Sequence, residues 1–127
     1  MSFAKSISVL NDLEDFSAQE TRKLALNIDR RVVMETPFDT GSAKRNWLVS
    51  VDQVDDRIID AEGLSLGVAQ MAAIEQGAAE IRGAKVFDRI YIQNSQPNIE
   101  RLNEGWSQQA PSGFVDAIIA QENARGN

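Results

Sequence analysis

The spacing of apolar residues changes at Pro37, and this change limits the folds that are open to the chain. Apolar residues within 9–35 recur at three- and four-residue intervals, which predicts an amphipathic helix or two consecutive helices. A second helix could start at Ser17, because Ser17 and Glu20 have the spacing of a capping box. Pro37 ends the helix because it lacks an N–H group and disfavours the helical conformation of the preceding residue. Residues 46–54 then alternate between apolar and polar side chains, which predicts a half-buried strand.

The rest of the chain supplies further elements of both kinds. The predicted elements are, in order, a candidate second strand over Arg57 to Asp60, an Ala-rich helix over Leu64 to Ile81 that ends at Gly83, a strand over 85–94, a helical turn over Asn98 to Asn103, and a helix over 112–124. We therefore predict one α+β domain over residues 1–127. Its small, mostly antiparallel sheet is packed by the long N-terminal helix, the Ala-rich middle helix and the C-terminal helix.

The composition disfavours several classes of function. The chain contains no His and no Cys, so the commonest general bases, thiolate nucleophiles and most zinc or iron ligands are missing. Its net charge is −6, from 19 acidic and 13 basic residues, and the basic residues form dispersed pairs and no continuous stripe. An acidic chain of this kind is unusual for a DNA-binding protein. We expect no enzyme, no cofactor, no bound metal and no specific DNA binding.

The chain shows no feature that would direct it to a membrane. Its apolar runs are interrupted by polar residues long before they reach the roughly 18 residues of a membrane span. The first residues lack the apolar core of a signal peptide. We expect synthesis in a cytoplasm and no membrane partner.

Asp39, Thr40 and Gly41 form the one sequence pattern with an enzymatic counterpart. The same tripeptide occurs in retroviral-type aspartic proteases, short chains that pair two such Asp residues by forming dimers. In those proteases an apolar strand precedes the tripeptide, whereas here a long helix and Pro37 precede it. A turn after the helix explains the same residues, because Asp can bond the backbone ahead of it and Gly tolerates positive φ. The turn is the favoured interpretation and the protease is the alternative.

Acidic residues elsewhere have weaker functional interpretations. Five acidic residues follow the predicted strand: Asp52, Asp55, Asp56, Asp60 and Glu62. They could suggest a calcium loop, but their spacing lacks the alternating ligands and the central Gly of an EF-hand. A solvated hairpin fits them better. Glu100 and Glu104 lie one helical turn apart and could suggest a catalytic carboxylate pair. An exposed helical position for Glu100 and a loop-bracing hydrogen bond for Glu104 are the simpler expectations.

The two Trp residues receive different predictions. Trp47 begins the predicted strand 46–54 and is expected in the core. Trp106 lies between Gly105 and Ser107 in an irregular segment, where a large amphipathic ring is either a loop anchor or the centre of an interface. Both interpretations of Trp106 stay open.

Two blocks of the sequence resemble the tail-completion or neck proteins of long-tailed bacteriophages, the group that includes proteins of the minor tail protein Z type. The first block resembles the family's Thr-Pro-x-Asp-Thr-Gly turn with a following basic residue and Asn-Trp pair, at Thr36, Pro37, Asp39, Thr40, Gly41, Arg45, Asn46 and Trp47. The second resembles its strand, Asn, loop and Glu-Gly-Trp-Ser-x-Gln-Ala-Pro-x-Gly pattern, at Asn94, Glu104, Gly105, Trp106, Ser107, Gln109, Ala110, Pro111 and Gly113. One departure is that Ser95 to Ile99 replaces an aromatic-containing step that is common after the Asn.

The resemblance implies a structural protein of the virion, located at the neck or the head-proximal end of the tail. It implies a homo-oligomeric ring, expected to be a hexamer, that completes the tail and helps to join it to the DNA-filled head. The implied neighbours are the tail terminator or tail tube and the head-completion proteins, with the genomic DNA passing nearby and not specifically bound. An acidic subunit beside that DNA is compatible with passage, because it would not hold the phosphates.

A structural hypothesis connects the two blocks. The turn at Asp39, Thr40 and Gly41 is expected to lie close to the corner formed by residues 104–111. Glu104 would brace backbone N–H groups or Arg45, and the pair of turns would set the angle at which neighbouring subunits dock. The candidate interface and turn residues are therefore Asp39, Thr40, Gly41, Arg45, Trp47, Asn94, Glu104, Gly105, Trp106, Ser107 and Pro111.

Overall fold

A three-stranded antiparallel sheet and five helices make up the part of the chain that the structure, a computed structural model, describes. That part comprises residues 5–10, 18–38, 42–85, 88–97, 99–104 and 112–126. The elements in chain order are β1 (Lys5–Leu10), α1 (Ala18–Glu35), α2 (Ser42–Arg45), β2 (Trp47–Val51), α3 (Leu66–Arg82), β3 (Arg89–Asn94), α4 (Ile99–Asn103) and α5 (Phe114–Gly126). The predicted α+β class, with its three packing helices, is confirmed.

The strands lie in the order β1-β3-β2, with β3 in the centre. Ile92 of β3 is paired with Ile7 of β1 and with Val49 of β2, so the three side chains form one row on the same face of the sheet. All three are buried in the main apolar core together with residues of α1, α3 and α5. This face of the sheet therefore carries the helices.

Helix α1 contacts both α3 and α5, and α3 also lies against β2. Arg31 of α1 forms an ion pair with the buried Glu122 of α5, at 2.9 Å between Nη1 and Oε2. The start of α5 is fixed by Asn103, whose Oδ1 accepts the N–H of Val115 at 2.9 Å. The apolar pattern of this helix predicts that Phe114, Val115, Ile118 and Ile119 face inward; the first three are buried and Ile119 is partly buried. None of the helices in the described ranges has the length and apolar content needed to span a membrane.

The N-terminal segment differs from the prediction. Residues 9 and 10 belong to β1 and are not helical, and α1 begins at Ala18, directly after Ser17. Residues 11–17 lie outside the described residues. The prediction of a helix from residue 9 is wrong because strand pairing with β3 is a contact between distant parts of the chain, and it overrides the local three- and four-residue spacing.

The segment after β2 also differs from the prediction. Residues 57–60 form no strand, and β2 ends at Val51, short of residue 54. Asp52 has a φ of 69°, a left-handed conformation that is unfavourable for strand continuation. The strand predicted over 85–94 is present over Arg89–Asn94, with residues 86–87 outside the described residues. The predicted helical turn near 98–103 is confirmed as α4.

The Ala-rich helix α3 approaches α1 closely because its buried face carries small residues. Ser65 caps the helix by accepting the N–H of Val68, and Gly83 ends it, as the sequence predicts. The buried face consists of Ala69, Ala73, Gly77 and Ile81. At Gly77 the space where a Cβ would stand is occupied by the carboxylate of Asp29 from α1. We call this contact between Asp29 and Gly77 the α1–α3 seam.

We predict that Gly77→Ala destabilises the protein. The added methyl would overlap the carboxylate of Asp29 and stand 3.0 Å from Val49 Cγ2, and Asp29 is fully buried, so the buried side chains must shift to make room. Overpacking of this kind costs about 1–3 kcal/mol of unfolding free energy. Urea denaturation followed by Trp fluorescence and circular dichroism measures it.

Gly67→Ala, in the same helix, is the matched control. A Cβ at this position meets nothing within 4 Å. Replacement of an unconstrained helical Gly by Ala raises stability by up to about 1 kcal/mol. Equal effects of the two substitutions would contradict the packing that we describe at the α1–α3 seam.

Candidate functional site

Four of the described motif residues lie, together with Lys44, where α1 ends and β2 begins. We call this region the buried corner and define it as Thr36, Lys44, Asn46, Trp47 and Asn94. All five side chains are buried, although four of them are polar or charged and the fifth carries an indole N–H. Buried polar groups are costly unless they are hydrogen-bonded, so each must be accounted for.

Thr36 and Trp47 form one hydrogen-bonded chain. The Nε1–H group of Trp47 donates to Thr36 Oγ1 at 2.7 Å, and Thr36 Oγ1 donates to the carbonyl of Val32 in the last turn of α1. Trp47 is fully buried in the main core, which confirms the prediction. The hydrogen bond satisfies the one polar atom of the indole and links the start of β2 to the end of α1.

Lys44 binds the C-terminal end of α1. Its Nζ donates to the carbonyls of Val33 and Met34, both at 2.9 Å. These carbonyls belong to the last turn, which has no further N–H partners and is the negative end of the helix dipole. Burial lowers the pKa of Lys44 from 10.5 to about 8.

Asn46 holds the segment that the sequence suggested as a second strand. Its Oδ1 accepts the N–H of Ile59 at 2.6 Å, and its Nδ2 donates to the carbonyl of Ile59 at 2.9 Å. The same Nδ2 donates to the carbonyl of Ser42 at 2.8 Å. One side-chain amide therefore gives Ile59 the two hydrogen bonds that a neighbouring strand would supply.

Asn94 fixes the end of β3. Its Nδ2 donates to the carbonyl of Ala43 in α2 at 2.7 Å, and its Oδ1 accepts the N–H of Gln96 at 3.0 Å. The side chain is fully buried. Asn94 therefore positions elements within the chain and has no exposed surface.

The side-chain amide of Gln76, like that of Asn46, forms two hydrogen bonds with the backbone of one residue. Its Oε1 accepts the N–H of Val49 at 2.9 Å, and its Nε2 donates to the carbonyl of Val49 at 2.8 Å. Val49 is not hydrogen-bonded to β3 at this position because its backbone groups point to the outer edge of the sheet. A side chain of α3 thus pairs with the edge strand.

The other predicted interface residues are divided between described and undescribed positions. Asp39, Thr40, Gly41, Gly105, Trp106, Ser107 and Pro111 lie outside the described residues. Glu104 is exposed, and Arg45 is half-buried with an Nη1 that has no hydrogen-bond partner within the described residues. Arg45 Nη1 is therefore not braced by Glu104. The proximity of the two turns stays a prediction.

Asp29 is the buried titratable group with the largest departure from its ordinary behaviour. Neither of its carboxylate oxygens has a hydrogen-bond partner in the described part of the chain, and burial raises its pKa from 3.8 to about 8. A raised carboxyl pKa is also found at catalytic sites. Asp29, however, is packed against Gly77 with no exposed surface, so it has no route to a substrate.

Sequence reasoning missed Asp29, Lys44 and Gln76 as important residues. Asp29 carried a usable signal, because it lies directly after Ile28 near the apolar stripe of α1. The signal for Lys44 was its position shortly after the helix stop at Pro37. Nothing in the sequence pairs Gln76 with Val49, because the contact depends on how α3 lies against β2.

The acidic segment after β2 has local partners. Asp55 accepts two hydrogen bonds from the guanidinium of Arg57, at 2.8 and 2.7 Å, and Asp52 Oδ1 accepts the N–H of Arg89 at 3.0 Å. Hydrogen bonding from Arg57 lowers the pKa of Asp55. Within the described ranges, no three His, Cys, Asp or Glu side chains are grouped so that they could hold a metal ion.

Comparison of the chain with models of protein families, with curated proteins and with solved structures gives no significant match.

We predict that Asn46→Ala loosens the connection between β2 and α3. The substitution leaves the N–H and carbonyl groups of Ile59 without partners, at a cost of about 1–3 kcal/mol of unfolding free energy. Hydrogen exchange at the Ile59 amide should accelerate. Gln53→Ala in the same connection is the control, because Gln53 is exposed. Unchanged exchange at Ile59 in Asn46→Ala would contradict the assigned contact.

The pKa values of Asp29 and Lys44 predict opposite dependences of stability on pH. Between pH 3.8 and about 8 the folded chain keeps a proton on Asp29 that the unfolded chain has lost. The contribution of Asp29 to the unfolding free energy is therefore complete at low pH. It falls as the pH rises, by up to about 1.4 kcal/mol per pH unit. Between pH about 8 and 10.5 the unfolded chain keeps a proton on Lys44 that the folded chain has lost. The contribution of Lys44 to the unfolding free energy therefore rises with pH in this range.

Unfolding free energies measured across the pH range test both directions. Asp29→Asn should abolish most of the fall between pH 3.8 and about 8. In Lys44→Met the unfolding free energy should still fall over that range, but it should no longer rise above about pH 8. A wild-type profile parallel to that of Asp29→Asn throughout the acidic and neutral range would refute the raised pKa of Asp29.

Proposed function

We propose that the chain is a structural subunit of the neck or head-proximal tail end of a long-tailed bacteriophage. In this proposal, copies form a ring, expected to be hexameric, that completes the tail and helps to join it to the DNA-filled head. The observation that carries the proposal is the buried corner. The described motif residues Thr36, Asn46, Trp47 and Asn94 bind backbone groups and one another, so their hydrogen-bonding capacity serves the shape of the subunit.

The surface supports an assembly role. Several large apolar side chains are at least two-fifths exposed and are therefore accessible to another protein; they are Met34, Val54, Ile58, Leu66, Val68 and Met71. None of them belongs to the two motif blocks. The proposal therefore assigns the shape of the subunit to the motif residues and its contacts to other positions.

The charge of the chain supports a location beside passing DNA. A net charge of −6 gives little affinity for phosphates, so genomic DNA could move past the ring without being held. The proposed protein neighbours are the tail terminator or tail tube on one side and the head-completion proteins on the other. The proposed location is the virion, after synthesis in the host cytoplasm.

The aspartic protease alternative has less support. Its Asp39, Thr40 and Gly41 lie between α1, which ends at Glu35, and α2, which begins at Ser42. The tripeptide therefore follows a helix, whereas the protease pattern requires a preceding strand. No observation within the described residues favours the protease.

We predict that intact virions of the encoding phage contain the chain at the head–tail junction. Deletion of its gene should yield filled heads and separate tails, visible by electron microscopy, because no ring would join them. Complementation with the wild-type gene should restore joined particles. Mass spectrometry of purified virions and a particle reconstruction would establish the position and copy number.

Asp39→Asn separates the proposed function from the protease alternative. An Asn at this position can still form the turn after the helix, but it removes the carboxylate that an aspartic protease requires. We expect joined particles from this variant. Virions that lack the chain, or a requirement for the carboxylate of Asp39, would refute the structural role.

A further inference from the structure

The two edges of the sheet differ in what lies beside them. β2 forms one edge, and the N–H and carbonyl groups of its Val49 are both bonded to the side-chain amide of Gln76 in α3. β1 forms the other edge. Among the described residues, no strand lies beside the outer side of β1 and no backbone hydrogen bond reaches it.

The register of the sheet shows which backbone groups of β1 point outward. Val49 points its backbone groups away from β3, so its pair with Ile92 is not hydrogen-bonded, and the groups of Ile92 point to β1 instead. Ile92 is paired with Ile7, so Ile7 is bonded to β3, and the alternate residues of β1 point away from it. The residues with outward N–H and carbonyl groups are therefore Ser6, Ser8 and Leu10.

β1 lacks the features that usually protect an exposed strand edge. Such edges are commonly blunted by Pro, by charged side chains or by bulges. The stretch from Ser6 to Leu10 contains no Pro and no charged residue, and its pairing with β3 runs without a bulge. The outer edge of β1 can therefore accept a further strand.

We infer that β1 pairs with β1 of a second copy of this chain, in antiparallel orientation about a twofold axis through Ser8. In this register Ser8 lies opposite the partner's Ser8, and Ser6 lies opposite the partner's Leu10. Each outward-facing residue thus meets an outward-facing residue, and each such pair exchanges two hydrogen bonds. The two three-stranded sheets become one sheet of six strands.

A second copy fits this edge because it matches β1 in length, orientation and charge. An antiparallel neighbour is the kind that β1 already has in β3. A strand of equal length leaves none of the three outward-facing residues unpaired. Lys5 is the one charged residue of β1, and the register places it at opposite ends of the pair in the two copies, roughly 20 Å apart. Like charges therefore do not meet.

The pairing closes at two copies. Growth of a sheet by repeated addition of identical subunits needs two open edges in each subunit, but Val49 on the β2 edge is already bonded to Gln76. We therefore expect a dimer and not a fibre. Hydrogen bonds between exposed backbone groups replace bonds to water and contribute modestly, so the dimer should be weak and concentration-dependent.

The pairing goes beyond the proposed function and does not depend on it. It concerns the isolated chain, whereas subunits in a ring of sixfold symmetry meet through two different patches. The twofold pair therefore describes the free chain before it enters a ring. Its test uses purified protein and needs no virion.

Amide hydrogen exchange of the wild-type chain tests the pairing residue by residue. In dilute solution the outward amides of Ser6, Ser8 and Leu10 should exchange rapidly, whereas the amides of Ile7 and Val9, which are bonded to β3, should be protected. Sedimentation velocity gives the concentration at which the chain is mostly dimeric. At that concentration, exchange at the three outward amides should slow by about tenfold, because it then requires dissociation of the dimer.

Ser8→Pro removes the central N–H group of the pairing. The fold should persist, which circular dichroism checks, because Pro is tolerated on an edge strand where its missing N–H faces outward. The dimer should weaken by at least about tenfold, because each copy loses one hydrogen bond at the centre of the contact. Ser8→Ala keeps the N–H group and should leave the dimer unchanged. Val9→Pro should instead destabilise the fold, because it removes a bond to Ile90.

Three results would overturn the pairing. They are a chain that stays monomeric to the limit of its solubility, an oligomer whose formation leaves exchange at Ser6, Ser8 and Leu10 unchanged, and a folded Ser8→Pro variant that dimerises as strongly as the wild type. If Ser8→Pro does not fold, the exchange of the wild-type chain decides. A larger ring whose three outward amides exchange as in the monomer would refute the pairing while supporting the proposed function. Dimers without virion incorporation would support the pairing and refute the proposed function.

Discussion

The end of α1 is the constraint on which the rest of the structure depends. Pro37 stops the helix inside the protein, so its last carbonyl groups must find partners that are not water. Lys44 and Thr36 provide them, and Trp47 is bonded to Thr36 in turn. These contacts fix the direction in which β2 leaves the helix, and the sheet is built onto β2 through β3. A change at this corner would therefore alter the relation between the whole helical layer and the sheet.

At the α1–α3 seam, close packing is combined with a buried carboxyl group that has no hydrogen-bond partner within the described residues. Small residues allow the helices to approach closely, and the space left by Gly77 is filled by a carboxyl group, which gains no hydrogen bond there. The environment keeps Asp29 protonated at neutral pH, which avoids the far larger cost of a buried charge. The same close packing makes the unfolding free energy fall as the pH rises from 3.8 to about 8.

The division between interior and surface connects the fold to the proposed function. The motif residues of the buried corner, Thr36, Asn46, Trp47 and Asn94, are buried and bind other parts of the same chain, whereas the exposed apolar side chains lie elsewhere. The residues on which the resemblance depends therefore act on the internal structure of the chain. In the proposed function, contacts with other subunits would fall to exposed positions outside the two motif blocks.

The sequence by itself determined α1, α3, α5, the two strands β2 and β3, the burial of Trp47 and the α+β class. These features depend on local periodicity and on helix stops such as Pro37, which are visible within a short window of residues. Tertiary structure decided that residues 5–10 form β1, that Asn46 holds Ile59 in place of a second strand, and that Asp29 meets Gly77. Each of these contacts joins residues that are far apart in the chain or depends on the path of a loop. Local spacing contains no information about which distant group will become the partner, and the free energy of that pairing exceeds the weak local preferences.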